Sequence, residues 1–428
     1  MFGSDYVLFL LSQALSELGD HLWSLGLRNY LFENSPWTPA AGIAAVFVLQ
    51  AIPVFLFGPW LTSRIGRQWR KMALAADLLR MAVTLTFALI LLFTRTALSD
   101  GQLIFMLLAA QLILEAGSLV FQNCRNCLVP VLYPNPNDIP KAHLWANVAS
   151  LSAAGVVPLI FVLAMPSQEK IKIEWLAWAA IIDAVSFAIS GAALMALKRS
   201  RRLEEFEKAA QSEEKSSFIE HFKNGFKTVK KYPGAARLLL FSFFYNICLM
   251  GPFEIGHITF LRSDLALPPA ALAINLVIFL AGIFAGTFAA NILWKGKHAN
   301  HLNRFSKAIF WDGLTFFPIC LFALLKDSIP HDSFLIGLAA LFFFHYAMVP
   351  FVKVSRLAGI QTLADKKDWS TLLGFHAVAV EGASAVSVIV VALAIPNVSG
   401  TWLLALGGAG ATLCGAFGMK FLRDMKVN

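Results

Sequence analysis

The sequence predicts an all-α polytopic membrane protein with twelve transmembrane helices in two six-helix bundles and with both termini in the cytoplasm. Composition, the spacing of apolar segments and the distribution of basic residues support this fold class. Of the 428 residues, 58% are hydrophobic and 14% are charged, and the mean hydropathy is +0.67. Because a soluble domain carries about 25% charged residues, this composition excludes a soluble enzyme, a disordered chain and a disulfide-rich secreted domain.

Apolar segments long enough to cross a bilayer recur along the whole chain. A spanning helix needs about 20 predominantly apolar residues, and twelve segments reach this length. The first, fourth, seventh and eleventh segments also contain charged residues, so hydropathy alone underestimates them. We expect the spans at residues 6–32, 40–62, 72–94, 101–124, 143–165, 174–197, 235–261, 268–293, 306–326, 333–352, 371–394 and 399–419.

Basic residues are concentrated on one side of these predicted spans. If the N-terminus is cytoplasmic, most of the 35 lysines and arginines lie in cytoplasmic loops or in the C-terminal tail. The positive-inside rule therefore predicts that both termini are cytoplasmic. The net charge of +9 then belongs to loops that face anionic lipid, so nucleic-acid binding is not implied.

We expect no cleaved signal peptide and a monomer in the bacterial inner (cell) membrane.

The longest hydrophilic stretch, at residues 198–232, divides the chain in two. Its second half is amphipathic with a basic face, which predicts a helix on the inner leaflet. We expect an N-terminal six-helix bundle at 1–197, a cytoplasmic linker with this helix at 198–232, and a C-terminal six-helix bundle at 233–428. Two such halves are typical of a transporter built by internal duplication.

The loop after the second span carries a charged motif. The loop pattern of the major facilitator superfamily is a Gly followed by Asp-Arg-x-Gly-Arg. Arg64, Gly66 and Arg67 match this pattern, whereas Gly58 lies one place before the position of the first Gly and Ser63 replaces the usual Asp. The sequence therefore resembles this superfamily, and the resemblance implies its two-bundle fold and transport by alternating access. The residues expected to form a conformational latch are Ser63, Arg64, Gly66 and Arg67, together with Asp77 and Arg80 near the inner surface.

Further stretches resemble the exporter branch of the superfamily, which contains enterobactin and macrolide exporters and the lysophospholipid transporter. They lie at residues 75–80, 123–125 with Pro130, 146–147 and 183–187. A weaker resemblance is to ferroportin, the iron exporter of the same superfamily. It rests on residues 19–23, on Asp183 and Ser186, and on residues 394–397, whereas the Arg-Arg-Ile-Asp stretch of ferroportins is absent from the fifth span.

Two predicted spans carry a stripe of polar residues on one helical face. The steps between these residues are 4, 4, 3 and 4 in the first span and 4, 3, 4 and 3 in the fourth, which is the spacing of one helix face. A charge at the bilayer centre costs about 2.5–3.5 kcal/mol, so these charges need a water-filled cavity or a partner. The stripes are Gln13, Glu17, His21, Ser24 and Arg28, with Asp20 beside them, and Gln111, Glu115, Ser118, Gln122 and Arg125.

The resemblance implies a secondary transporter of the exporter type. The excess of acids in the stripes favours a proton-coupled exporter of a small cationic or zwitterionic solute, with no cofactor and a proton gradient as its driving force. Glu17, Asp20 and Glu115 repel one another when ionised, which favours proton uptake by one of them. No Walker A or hydrolase pattern lies in a plausible context, so we expect no enzyme. The candidate substrate and proton residues are Glu17, Asp20, Arg28, Glu115, Arg125, Asp183, Glu254, His257 and Glu381.

Other interpretations of these residues remain open. Arg28 and Arg125 also fit permanent pairs with a carboxylate, and Asp183 also fits a structural hydrogen bond between helices. A second function is the export of a divalent metal such as iron or cobalt, since imidazole and carboxylate groups suit these ions. Its ligands would be Asp20, Asp183, Ser186, His257 and His376. Lysophospholipid flipping is a third function. A receptor or assembly factor would need a large extramembrane domain, whereas the longest hydrophilic stretch here is residues 198–232.

Overall fold

All regular structure in the described part of the chain is helical. The computed structural model describes residues 4–34, 39–93, 98–133, 139–164, 173–197, 203–205, 218–267, 269–293, 301–395 and 397–421. The side chains of residues 59–67 are outside this description. The side chains of Ser63, Arg64, Gly66 and Arg67, expected in the latch, therefore lie outside the described residues, although their backbone is helical.

The helices of the first half begin with α1 at Ser4–Asn34. The run Pro39–Phe93, α2, contains a non-helical residue at Gln68, where φ is −138° and ψ is 29°. This break separates the predicted second and third spans. The remaining helices are α3 at Asp100–Leu132, α4 at Ile139–Ala164, α5 at Ile173–Ala196 and α6 at Phe218–Lys231.

The local sequence explains where α3 starts. Ser99 caps α3, because its hydroxyl accepts a hydrogen bond from the backbone N–H of Gln102 at 3.4 Å. The Gln102 side chain accepts the backbone N–H of Ser99 at 3.0 Å in return. This reciprocal pair satisfies two donors at the helix end that would otherwise lack partners.

The helices of the second half are interrupted more often. The helix α7 at Pro233–Gly251 continues through two π-helical turns, Pro252–Gly256 and Phe260–Asp264. The predicted eleventh span is likewise two helices joined by a π-helical turn at Val378–Gly382. The others are α8 at Pro269–Leu293, α9 at His301–Leu314, α10 at Phe316–Ala323, α11 at His331–Thr362, α12 at Trp369–Ala377, α13 at Ala383–Ala394 and α14 at Gly400–Phe421.

The chain forms two compact units. The first consists of Met1–Val157, Gln168–Lys231 and Ala364–Glu381. The second consists of Pro158–Ser167, Tyr232–Leu363 and Gly382–Asn428. The core of the first unit contains Trp23, Leu27, Phe87, Leu107 and Leu176. In the second unit α8 and α11 approach closely, because a Cβ at Gly286 would overlap the backbone of Ala347, and small residues permit such contacts between membrane helices.

The helices coincide with the predicted spans, since each predicted segment overlaps a helix in the structure. Within the described residues, eight helical runs are long and apolar enough to cross a membrane, and two shorter apolar helices lie at Ala44–Gly58 and Val277–Ala290. Large apolar side chains such as Phe93, Phe105 and Ile336 are more than 70% exposed. Extensive apolar surface of this kind is typical of proteins that contact lipid. The number of crossings and the side on which the termini lie stay predictions.

Candidate functional site

Arg80 lies at the centre of a polar cluster in the first unit. It is fully buried on α2. Its Nη1 donates to Asp20 Oδ2 at 3.0 Å and to Ser118 Oγ at 3.3 Å, while Nη2 donates to Ser16 Oγ at 3.3 Å. Nη2 also forms an ion pair with Asp77. One guanidinium therefore joins α1, α2 and α3, which matches the ability of arginine to donate several bonds in a fixed plane.

Aromatic rings and a fourth helix complete the environment of Arg80. Its guanidinium carbon lies 4.2 Å from the ring centroid of Phe187 and 4.8 Å from that of Phe121, which are cation–π distances. The Ser190 hydroxyl on α5 donates to Asp77 Oδ2 at 2.9 Å. The sequence assigned Asp77 and Arg80 to a latch; in the structure they form a buried ion pair that also binds Asp20.

Asp183 is fully buried on α5 beside this cluster. A Cβ at Gly19 would overlap the side chains of both Asp183 and Ser186, so α1 and α5 are in close contact next to Asp20. Ser186 donates to the backbone carbonyl of Asp183 at 2.8 Å. Within the described part of the chain, the buried Oδ2 of Asp183 has no hydrogen-bond partner.

The cluster around Arg80 contains more acid than base. Asp20, Asp77 and Asp183 interact electrostatically with one another and with Arg80. If all three carboxylates were ionised, a single guanidinium would leave the cluster with a net negative charge. Because unpaired buried charge is costly, a proton or a bound cation is expected to offset it.

Glu17 and Arg125 form a second ion pair, between α1 and α3. The side chains are 12% and 11% exposed, respectively, so the pair is largely removed from solvent. Gln13 donates to Glu17 Oε1 at 3.4 Å and to the carbonyl of Ala146 on α4 at 3.3 Å. These contacts hold the Glu17 carboxylate between three helices.

Glu115 belongs to a chain of hydrogen bonds that crosses from α1 to α3. The indole N–H of Trp23 donates to Gln111 Oε1 at 2.8 Å, and Gln111 Nε2 donates to Glu115 Oε1 at 2.6 Å. Arg28 and Glu381 interact electrostatically with Glu115. The polar faces predicted for the first and fourth spans therefore lie against each other.

The remaining candidates are divided between the units. His257 is buried in the second unit, where its ring stacks on Phe253 with centroids 5.6 Å apart. Glu254 is half-buried in the same unit, whereas His376 is buried in the first. Among the described side chains, no group of three or more His, Cys, Asp or Glu is arranged to hold a metal ion. The proposed metal ligands therefore do not form a cluster of that kind in this structure.

Sequence reasoning missed several members of the Arg80 cluster, including Ser16, Phe121, Phe187 and Ser190. Ser190 could have been predicted from its spacing along the sequence. Asp183, Ser186 and Ser190 are spaced by three and four residues and therefore share one face of α5. The two phenylalanines gave no signal, because apolar residues on membrane helices usually face lipid or core.

The fold is shared with solved transporter structures, although the sequence matches no family model and no curated protein. A bacterial homologue of the iron transporter ferroportin, in an outward-facing state with soaked iron, is 13% identical with a TM-score of 0.69, over 98% of this chain and 99% of that chain. The proton:xylose symporter XylE is 11% identical with a TM-score of 0.70, over 98% and 95%. The human organic anion transporter MFSD10 is 12% identical with a TM-score of 0.64, over 98% and 100%.

These relatives are transporters rather than enzymes, and the similarity extends over nearly the whole chain. The resemblance to the superfamily that the loop motif and the span motifs predicted is thereby confirmed at the level of the fold, and one of the matching structures is a ferroportin homologue. The chain has the major facilitator fold.

Proposed function

We propose that the protein is a secondary active transporter that works by alternating access and exports a small cationic or zwitterionic solute in exchange for protons. The observation that supports this proposal is the excess of buried carboxylates over cations around Arg80. Asp20, Asp77 and Asp183 share that one guanidinium. A charge left uncompensated within a span costs about 2.5–3.5 kcal/mol, so the cluster favours binding of either a proton or a cation.

Because a proton and a cationic solute compete for the same carboxylates, the cluster would exchange one for the other. Protonation of a carboxylate removes the charge that attracts a cationic solute, and a bound cation removes the charge that attracts a proton. Asp20 is the acid through which a solute would reach the cluster, because its side chain is 29% exposed, whereas Asp183 is fully buried. Glu17 would bind solute only in competition with Arg125, and Glu115 only in competition with Gln111.

The proposal includes the finer features predicted from sequence. These are twelve spans in the bundles 1–197 and 233–428, cytoplasmic termini, a linker helix on the inner leaflet, and a monomer in the bacterial inner membrane. The basic residues of the predicted cytoplasmic loops support this orientation. The proton gradient is the proposed driving force.

Transport in proteoliposomes tests the function. The probes are small organic cations, with ethidium as the fluorescent reporter, in vesicles with and without an imposed pH gradient. Wild-type protein is expected to move cations faster with the gradient, and E17Q/D20N protein to fall to the rate of empty liposomes. The control D100N changes an exposed Asp of the first unit and should transport normally. Unchanged flux in the E17Q/D20N variant, or no gradient dependence for any cation, contradicts the proposal.

Divalent metal export is the second candidate, and the contact between α1 and α5 favours it. Asp183 and Ser186 face Gly19, next to Asp20 in the chain, and carboxylate and hydroxyl oxygens are ligands of hard cations. One solved relative is a ferroportin homologue with soaked iron. His257 and His376 belong to different units, so this candidate rests on the oxygen ligands. Calorimetric titration with cobalt should give binding heat that D183N removes, and no heat from wild-type protein eliminates it.

A further inference from the structure

The second unit contains a polar cluster where one of its helices is interrupted. The helix α9 ends at Leu314, and α10 begins at Phe316. Pro318 explains the interruption, because its ring has no N–H to bond Leu314 and clashes with the carbonyl of that residue. Asp312 therefore lies in the last turn of α9, within the predicted ninth span.

Asp312 is fully buried and has two side-chain partners among the described residues. The Tyr245 hydroxyl on α7 donates to Oδ2 at 2.7 Å. Nδ1 of His345 on α11 lies 3.3 Å from Oδ1, within ion-pair distance but without hydrogen-bond geometry, so Oδ1 accepts no hydrogen bond. Oδ1 therefore lacks a hydrogen-bond donor, and it is the carboxylate oxygen that would take up a proton.

Thr315 contacts both Asp312 and His345. Its hydroxyl donates to the backbone carbonyl of Asp312 at 2.5 Å. The same oxygen lies 2.9 Å from His345 Nδ1. The hydroxyl has one hydrogen, so whenever it donates to the carbonyl of Asp312 it can only accept from an Nδ1–H of His345. The imidazole is almost fully buried and lies 4.3 Å from the ring of Phe316, centroid to centroid. Asp312 and His345 are thus close to each other, and both side chains are almost completely buried.

The charge of this pair must be balanced locally. In the described part of the chain, no lysine or arginine lies within ion-pair distance of Asp312. Among the described residues, the titratable groups that interact with Asp312 or with its two partners are Tyr245 on α7, His345 and Arg356 on α11, Cys414 on α14, and His257, which interacts with His345. Arg356 and Cys414 interact electrostatically with Tyr245. Neutralisation of Asp312 therefore depends on a proton, either on its own Oδ1 or as an imidazolium on His345.

We propose that Asp312 and His345 form a second proton-binding site, located in the second unit and loaded during the transport cycle. This inference deepens the proposed proton coupling and rests on it for its role in transport. In the loading step a hydronium ion transfers its proton to Oδ1 of Asp312 and leaves as water. The carboxylate becomes a neutral carboxylic acid, and Tyr245 continues to donate to Oδ2. No electrons are transferred and no other reactant is needed.

Infrared difference spectroscopy of the purified, lipid-reconstituted protein tests the site without any transported solute. The spectrum at acid minus alkaline pH is expected to contain the C=O band of a buried neutral carboxylic acid, and the band should shift in D2O. D312N should remove this band. The control D332N changes an exposed Asp of the same unit and should leave the band in place.

Two further variants keep Asp312 and guard against a folding defect in D312N. Y245F removes the hydrogen bond to Oδ2, so it should move the band to higher frequency. H345Q should shift the pH at which the band is half-maximal, because the imidazole can no longer hold the shared proton. If D312N retains every carboxylic acid band and Y245F leaves all frequencies unchanged, the proposed site is wrong.

The result is separable from the test of transport. A missing Asp312 band together with gradient-driven cation flux contradicts the second site and leaves the proposed function intact. A band that disappears in D312N, together with flux that ignores the pH gradient, establishes the site and contradicts the proposed coupling.

Discussion

The guanidinium of Arg80 lies 3.0 Å from the carboxylate of Asp20, a residue 60 positions earlier in the chain. This bond connects α2 to α1, and the same guanidinium also binds Asp77. Asp20, one of the acids singled out for function, and the arginine assigned to a latch therefore belong to one cluster. Stability and charge balance in the first unit should both depend on it.

Loss of Arg80 should destabilise the protein strongly. R80A leaves the Asp20 and Asp77 carboxylates without their cation, and removal of one partner from a buried ion pair costs about 3–5 kcal/mol. Thermal unfolding in detergent should show a large decrease in Tm. The control R237A removes an exposed arginine that donates to a backbone carbonyl, and we expect it to change stability by no more than about 0.5 kcal/mol. Equal Tm values for the two variants would contradict the assigned role.

Gly19 should not tolerate even a methyl group. A Cβ there would overlap the side chains of Asp183 and Ser186 and lie 2.8 Å from the Asp183 Cα, so G19A should cost about 1–3 kcal/mol through overpacking. The matched control is G101A on α3, where no atom lies within 4 Å of the added carbon. That variant should be neutral or more stable by about 0.5–1 kcal/mol, because alanine favours a helix. Denaturant unfolding of both variants measures the change in unfolding free energy, which should be a loss for G19A and zero or a gain for G101A.

Glu17 and Arg125 should be energetically coupled. Each single substitution, E17Q or R125Q, leaves the other charge largely buried without its partner, whereas the double variant removes both charges. A double-mutant cycle on unfolding free energy should therefore give a coupling of about 0.5–3 kcal/mol. Additive effects would indicate that the ion pair contributes nothing in the folded protein.

Gln111 should stabilise the contact between α1 and α3. Its side chain accepts from Trp23 and donates to Glu115, so Q111L leaves the buried indole N–H without an acceptor at a cost of about 1–3 kcal/mol. Thermal unfolding in detergent measures this loss of stability. Q122L replaces an exposed glutamine on the same helix and serves as the control. A Q111L protein as stable as Q122L would refute this role.

The helical periodicity was sufficient to predict that polar residues of the first and fourth spans share a face. Glu17, Gln111, Glu115 and Arg125 do lie along the contact between α1 and α3. Asp312 had no comparable pattern, since it is a single acid in an apolar span. Its partners Tyr245 and His345 are 67 and 33 positions away, and no local spacing relates them.

The amino-acid sequence by itself determined the helical class, the apolar segments and the faces on which charges lie, because hydropathy and the 3.6-residue repeat are local properties of the chain. Only the tertiary structure decided that Arg80 binds Asp20 and Asp77, that Glu17 pairs with Arg125, and that Asp312 meets His345. Ion pairs and hydrogen bonds require atoms within a few ångströms of each other. For residues on different helices that distance is set by packing, which the spacing along one helix does not specify.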